Sequence, residues 1–184
     1  MLNKLVFKIA DCEEEFEQIH QLNYDTFVKE IPQHSSNPSN QLIDKFHSKN
    51  TYCIAKDQKE VVGMISACDD RPFSVEQKVD NFDNFFPKNK KILELRLLSI
   101  KKKYRKGLVF KALIKTLYEH VIKGRYEFIV ISGTLREAKL YQHIGFVPFG
   151  GLVGSKEAPY QPMFIGEKMI NVFSGKFFDE INSN

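Results

Sequence analysis

The sequence has few cysteines and no apolar run long enough to span a bilayer. Its three cysteines, Cys12, Cys53 and Cys68, are odd in number and widely spaced, which predicts neither a disulfide framework nor a Cys-x-x-Cys metal clamp. No stretch approaches the roughly 18 consecutive apolar residues of a membrane-spanning helix, and the first residues lack the apolar core of a secretory signal. We therefore expect a protein of the reducing cytoplasm with no membrane partner.

Several motifs of known enzyme classes are also absent. The chain contains neither a Gly-x-Gly-x-x-Gly nor a Walker pattern, which argues against the nucleotide-binding domains built on those loops. The histidines are scattered without metal-ligand spacing, so we expect no metal, and no nucleophile motif surrounds a cysteine or serine. The net charge of +4 is mild, with much of the surplus in one cluster at 101–106. That distribution favours one anionic ligand or partner over nucleic acid.

Length and composition fit a globular enzyme. The 184 residues are 42% hydrophobic, with a mean hydropathy of −0.33, which is ordinary for a globular chain able to bury a core. No repeat, low-complexity segment or linker interrupts the sequence, so we predict one α/β domain over residues 1–184.

The hydrophobic pattern alternates between strand and helix signals. In the N-terminal half it predicts a strand at 5–10, a helix capped by Asp11 and ended by Pro32, a loop at 33–40 and a hairpin. The segment 69–89 is long and aromatic for a loop, so we expect it to be packed and partly helical. Strands are predicted at 51–56 and 60–67 (the hairpin), 92–100, 127–132, 146–153 and 162–165. Helices are predicted at 108–123, stopped by Gly124, at 134–145, capped by Thr134 and Glu137 and ended by Gly145, and at 169–181.

The most informative feature lies between the strand at 92–100 and the helix at 108–123. Five cations in Lys101–Lys106 and a glycine, Gly107, connect these two elements. Cationic side chains and backbone N–H groups at the start of a helix form an anion site, and a pyrophosphate is its common occupant. This arrangement predicts an enzyme that uses a phosphorylated cofactor.

A second motif carries a resemblance to a known family. The segment Arg136–Phe146 (Arg-Glu-Ala-Lys-Leu-Tyr-Gln-His-Ile-Gly-Phe) resembles the helix of GNAT superfamily acyltransferases that ends A-x-x-(L/F)-Y-x-x-x-G-F. The order of predicted elements is also similar to that of this family. The resemblance implies the acyl-CoA N-acyltransferase fold, a mixed, mostly antiparallel sheet with splayed central strands and flanking helices. It also implies that the phenol of Tyr141 lies near the thioester sulfur.

The same resemblance assigns the donor site. In the family, the backbone of the strand before the basic turn serves the thioester and its pantetheine arm, and the turn contacts the pyrophosphate. Only one glycine of the family's loop is present here, at Gly107. The positions implied for binding acyl-CoA, with acetyl-CoA first, are Leu98, Ser99, Ile100, Arg105, Lys106, Gly107, Leu108, Val109 and Phe110.

Two segments of the N-terminal half resemble one branch of the superfamily. Tyr24–Ile31 looks like the Y-x-x-F-V-x-E helix end of acyl-homoserine-lactone and N-acyl amino acid synthases, and Asp44–His47 looks like their D-x-x-D/H element. Donors in that branch are often acyl carrier proteins. The basic cluster at 101–106 would suit the acidic face of such a carrier.

The chemistry of acyl transfer selects further candidates. The departing thiolate benefits from a proton, for which Tyr141 is the candidate acid, and the attacking amine must lose one. Glu94 is the candidate base, because a carboxylate between Leu93 and Leu95 in a central strand needs a reason to be buried. A structural ion pair with Arg96, two residues on and on the same face, is the alternative. Asp44 and His47 are further base candidates.

These observations lead to one functional prediction and two alternatives. We predict an N-acyltransferase, in the cytoplasm as a monomer or homodimer, that moves an acyl group, first of all acetyl, from CoA to a primary amine of a small molecule. The first alternative is a long-chain N-acyl amino acid synthase that uses acyl carrier protein. The second is a binding or regulatory domain that kept the fold without turnover.

Overall fold

The computed structural model describes residues 5–105, 108–123, 125–155 and 159–170. They form an α/β protein with eight strands in a mostly antiparallel sheet and flanking helices, as predicted. The chain divides into two compact units, residues 1–67 with 97–121 and residues 68–96 with 122–184. The prediction of one domain over 1–184 stays a prediction. Within the described residues, no helix is long and apolar enough to cross a membrane.

The first unit begins with a strand and a helix. Strand β1 (Val6–Ile9) precedes helix α1 (Glu13–Tyr24), which continues as a π-helical segment at Asp25–Glu30. The negative charges of three glutamates in the first turn of α1 stabilise the helix, because they interact favourably with the positive N-terminal end of its dipole. The predicted cap at Asp11 is wrong, since Cys12 holds the N-cap position. Asp11 instead pairs with Lys8 at 2.7 Å, and its N–H donates to Glu15.

A hairpin completes the sheet portion of this unit. Strand β2 (Thr51–Asp57) pairs antiparallel with β1 and with β3 (Glu60–Cys68), so the predicted hairpin is confirmed. The first core cluster lies between these strands and α1, and Leu97 packs against it. Helix α2 (Leu108–Leu117) ends in a second π-helical segment, Tyr118–Ile122. The predicted stop at Gly124 lies outside the described residues.

Strand β4 (Ile92–Ile100) has the predicted bounds and contributes residues to both units. Its early part, in the second unit, pairs in parallel with β5 (Phe128–Thr134) through three residue pairs that end at Glu94. Leu97 has a φ of +53°, which is unusual for a residue other than glycine and marks a local break in the extended backbone.

The second unit is built around the last strand. Strand β8 (Pro159–Gly166) pairs antiparallel with β5 and also with two short strands, β6 (Val147–Pro148) and β7 (Val153–Gly154). The strand predicted over 146–153 is therefore wrong in its middle, where Gly150 has a φ of +60°. The strand predicted at 162–165 is confirmed and is longer. Of the predicted tail helix, only 169–170 are described, and both are helical.

An aromatic cluster forms the core of this unit. The segment 69–89 contains 3₁₀ turns at Glu76–Lys78 and Phe82–Phe85, which confirms the prediction of a packed, partly helical loop. Edge-to-face and tilted ring pairs, with centroids 5.0 to 6.2 Å apart, stabilise the cluster. Its rings belong to Phe73, Phe82, Phe86, Phe128, Phe149 and Phe164.

Helix α3 (Ala138–Ile144) follows a 3₁₀ turn at Leu135–Glu137. Thr134 holds the N-cap position of the 3₁₀ turn, as predicted, and Glu137 holds that of α3, but the bonds of the predicted capping box are absent because neither helical segment has a side-chain cap bond. Gly145 ends the helix with a φ of +105°, as predicted, because the left-handed conformation carries no steric penalty at glycine.

Candidate active site

Tyr141 is held against the backbone of β5. A Cβ atom at Gly133 would lie 2.9 Å from both Cδ2 and Cε2 of the Tyr141 ring, so the ring occupies the space that any larger residue at 133 would need. The hydroxyl is hydrogen-bonded to the side chain of Thr134, and burial raises the pKa of the phenol. A phenol with a raised pKa stays protonated at neutral pH, as a proton donor must.

Glu94 is buried in β4, with 1% of its surface exposed. Its Oε2 accepts the N–H of Ser74 at 2.8 Å, and its Oε1 accepts the N–H of Val75 at 2.7 Å. The ion pair with Arg96 is also present, at 3.7 Å. Burial raises the pKa of Glu94, against the opposing effects of Arg96 and the two N–H groups. This carboxyl therefore fixes the start of the segment after the cis Arg71–Pro72 peptide and is also easier to protonate than a solvated one.

The end of β4 and the turn after it belong to the first unit. Ser99 and Ile100 are buried and Leu98 is half-buried. The Ser99 Oγ has no hydrogen-bond partner among the described residues, which makes it an available polar atom on this strand. The carbonyl of Ile100 accepts the Arg105 Nε at 2.7 Å.

Acidic residues from the same unit hold three side chains of the basic turn. Tyr104 donates its hydroxyl to Asp57 Oδ2 at 2.6 Å, and Lys101 pairs with Glu60. The guanidinium of Arg105 forms a bidentate ion pair with Glu30, which raises the pKa of Arg105. Much of the turn's charge is therefore balanced inside the protein.

The remaining donor-site candidates differ in exposure. Lys102 and Lys103 are exposed, and Lys103 lies over the Tyr104 ring at 5.2 Å. At the start of α2, Leu108 is exposed, Val109 is buried and Phe110 is half-buried. The predicted contacts at 106 and 107 lie outside the described residues.

A polar network surrounds the weaker base candidates in the first unit. Asn50 donates to Asp44 at 2.7 Å and to the Tyr52 hydroxyl at 3.0 Å, and that hydroxyl lies 3.1 Å from His47 Nδ1. The same nitrogen lies 3.4 Å from His20 Nε2. Burial, and then His47, lower the pKa of His20. No sequence pattern indicated that Asn50, Tyr52 and His20 would join Asp44 and His47.

The two units thus hold different parts of the predicted site. The donor-binding candidates at 98–110 lie in the first unit, as do Asp44 and His47, whereas Glu94 and Tyr141 lie in the second. Glu94 and Tyr141 do not hydrogen-bond to each other, since each is bonded to its own neighbours.

Residues 22–115, just over half of the chain, match the sequence profile of a family described as an acetyltransferase (GNAT) domain. The chain therefore belongs to this family and is an acyltransferase of the GNAT fold, as predicted. No curated protein sequence matches it.

Solved structures agree on the fold. The chain is similar to BjaI, a CoA-dependent acyl-homoserine lactone synthase solved with MTA, with a TM-score of 0.73, 16% identity and coverage of 95% of this chain and 90% of that one. It is similar to FeeM, an N-acyl amino acid synthase from uncultured soil microbes, with a TM-score of 0.67, 15% identity and coverage of 95% and 96%. A putative N-acetyltransferase from Lactobacillus plantarum gives a TM-score of 0.60, 15% identity and coverage of 89% and 97%.

Proposed function

We propose that this acyltransferase moves an acyl group, with acetyl as the first candidate, from a CoA thioester to the primary amine of a small molecule. The observation that carries the proposal is the position of the Tyr141 ring, which lies on the family's characteristic helix and is held against Gly133. The transfer is direct. The amine nitrogen attacks the thioester carbonyl, a tetrahedral intermediate forms, and the carbon–sulfur bond breaks.

In this scheme Tyr141 is the acid. As the carbon–sulfur bond breaks, the sulfur gains negative charge, and the phenol donates its proton to the departing thiolate. Thr134 supports the assignment because its hydrogen bond opposes the effect of burial on the pKa of the phenol, which makes the phenol a better proton donor. General acid catalysis of this kind contributes roughly 10²- to 10⁴-fold in rate.

Glu94 is the proposed base, acting directly or through a water. Its raised pKa supports this role, because a carboxylate is a more effective base when its pKa lies nearer to neutral. Each of its oxygens accepts one backbone N–H and has further acceptor capacity. A proton taken from the amine would thus reach a group whose position is already fixed.

The donor is proposed to bind through the residues at 98–110. The backbone of Leu98–Ile100 would serve the thioester and the pantetheine amides, and the start of α2 would receive the pyrophosphate. Lys102, Lys103 and Arg105 are exposed cations of the described part of the turn. Arg105 contributes charge and also fixes the turn through Glu30 and the Ile100 carbonyl.

Calorimetric titration with acetyl-CoA, a long-chain acyl-CoA and an acyl carrier protein tests the proposal. Saturable binding of acetyl-CoA is expected, and replacing both Arg105 and Lys106 with alanine should weaken it in a salt-sensitive way. Lys88→Ala, which removes an exposed lysine of the other unit, should leave the affinity unchanged. Binding of none of the three donors would overturn the proposal.

A second candidate has its own support. BjaI, an acyl-homoserine lactone synthase, and FeeM, an N-acyl amino acid synthase, share the fold over nearly the whole chain. A long acyl chain carried by an acyl carrier protein, with an amino acid or its derivative as acceptor, is therefore the alternative chemistry. Preference for the long-chain donor or the carrier in the same titration would select it.

A further inference from the structure

A cleft of about 420 Å³ lies entirely within the second unit. Three segments line it: the loop after β3, the residues before β4 and the residues before β5. Its volume falls within the range of small-molecule sites, roughly 300–1,000 Å³. The lining residues are Asp69, Arg71, Phe73, Lys90, Ile92 and Tyr126, together with Lys91 and Arg125.

Several side chains that line this cleft are held by contacts within the protein. Arg71 is paired with Glu76 and Asp83, and Lys90 with Glu127. Tyr126 donates its hydroxyl to Asp69 at 2.6 Å. Because these contacts already order Arg71, Lys90 and Tyr126, a ligand would lose little affinity to ordering that part of the lining.

Two cations in this lining form no direct ion pair, although Lys91 lies close enough to Glu127 to contribute to the lowered pKa of that carboxyl. The side chains of Lys91 and Arg125 form no hydrogen bond or ion pair within the described residues, whereas every other charged side chain of the lining has a partner. The one acid of the lining, Asp69, already accepts the Tyr126 hydroxyl. The cleft therefore offers two unpaired positive charges beside one occupied carboxylate.

The rest of the lining is apolar. Ile92 and Tyr126 are half-buried and supply the accessible apolar surface of the lining, whereas Phe73 is 1% exposed and belongs to the aromatic core. An apolar surface next to unpaired cations fits a ligand that carries a negative oxygen group on a small hydrophobic body. Arginine suits planar oxyanions in particular, since its donors match carboxylate and phosphate oxygens.

We propose that this cleft binds a small oxyanion-bearing molecule, with a carboxylate or phosphate monoester at Lys91 and Arg125 and an apolar or aromatic group against Ile92 and the Tyr126 ring. The site is independent of the proposed acyl transfer and requires no donor. Its failure would leave that function untouched, and the reverse also holds.

Binding is measured by two-dimensional NMR on the full chain with three matched probes. Benzoate and phenyl phosphate share an aromatic ring and differ in the oxyanion, and benzamide keeps the ring without the charge. Saturable shifts of the amide signals of Lys91, Ile92, Arg125 and Tyr126 are expected with at least one anion. Benzamide should bind about tenfold or more weakly, since it lacks the charge-assisted bonds.

Two variants test whether Lys91 and Arg125 are the cations that bind the anion. Lys91→Ala combined with Arg125→Ala should weaken anion binding about tenfold or more, and the melting temperature should stay near that of the native chain because both side chains are exposed. Lys59→Ala, which removes an exposed lysine of the first unit, should bind as the native chain does. Saturation by only one anion would identify the oxyanion as carboxylate or phosphate. Absence of saturation, equal binding of benzamide, or unchanged binding in the double variant would each overturn the proposal.

Discussion

Replacing Glu94 with glutamine separates its two suggested roles. Glutamine keeps one acceptor oxygen and presents an NH₂ group in place of the other, so either the Ser74 or the Val75 N–H loses its acceptor in a site that is 1% exposed. An orphaned buried donor costs roughly 1–3 kcal/mol. Removing the carboxyl also removes the desolvation penalty that raises its pKa. We expect a net loss of about 2 kcal/mol in the free energy of unfolding, or about 4–8 °C in Tm.

The pH dependence of this loss has a definite sign. Because the pKa of Glu94 is raised in the folded state above its ordinary value of 4.5, its contribution to stability is fully present below that value. The contribution is lost as the pH rises through the folded pKa. The difference in stability between the native chain and Glu94→Gln should therefore be largest in mild acid and should shrink toward alkaline pH.

Urea unfolding and steady-state kinetics check both roles. If Glu94 is the base, kcat per folded molecule should fall roughly 10²- to 10⁴-fold, whereas a purely structural carboxyl would leave it unchanged. Glu119→Gln, at an exposed position in the first unit, is the matched control and should alter neither quantity. A stability loss below about 0.5 kcal/mol would refute the reasoning from the orphaned N–H group.

Other contacts give four further predictions. Tyr141→Phe should lower kcat by a factor of roughly 10² or more with little change in donor affinity, and unchanged turnover would remove the phenol from the mechanism. Gly133→Ala should act similarly by displacing the ring. Burial opposes ionisation of Glu15, but hydrogen bonds from Lys56, from the backbone N–H of Asp11 and from Lys8 lower its pKa from 4.5 to about 2. Glu15 should therefore contribute about 3 kcal/mol to stability above pH 4.5, lost as the pH falls through about 2. An acid titration that is the same for Glu15→Gln would contradict this. Glu30→Ala should free the Arg105 guanidinium and tighten donor binding measured by calorimetry, but looser binding would mean that Arg105 acts only by fixing the turn.

The sequence predicted the order of elements well because most of them have strong periodicity. Strand β4 was predicted with its observed bounds, and Gly145 with its role, since apolar alternation and a helix-ending glycine are local signals. The predicted capping bonds of Asp11 and Thr134 are absent, because these side chains bond to Lys8 and to Tyr141 instead. Capping patterns describe what a side chain is able to bond, and tertiary contacts decide what it does bond.

The candidate site was harder to predict, because its partners are far apart in the chain. The spacing of Glu94 and Arg96 predicted their ion pair. A pattern of side chains does not indicate that the backbone N–H groups of Ser74 and Val75 would donate to Glu94. The basic turn likewise looked like free positive charge. Its pairing with acids 41 to 75 residues away becomes visible only when the chain is folded.

The hairpin of β2 and β3 has a consequence for natural and engineered length variation. Asp57 and Glu60, on either side of its two-residue turn, hold Tyr104 and Lys101 of the basic turn. Surface hairpins commonly tolerate insertions and deletions, but here one added residue would shift one anchor relative to the other. An insertion at Gln58–Lys59 should therefore alter donor affinity, although it lies more than forty residues from the turn in the chain. Loop grafting in this protein should spare that hairpin and use the segment at 33–40 instead.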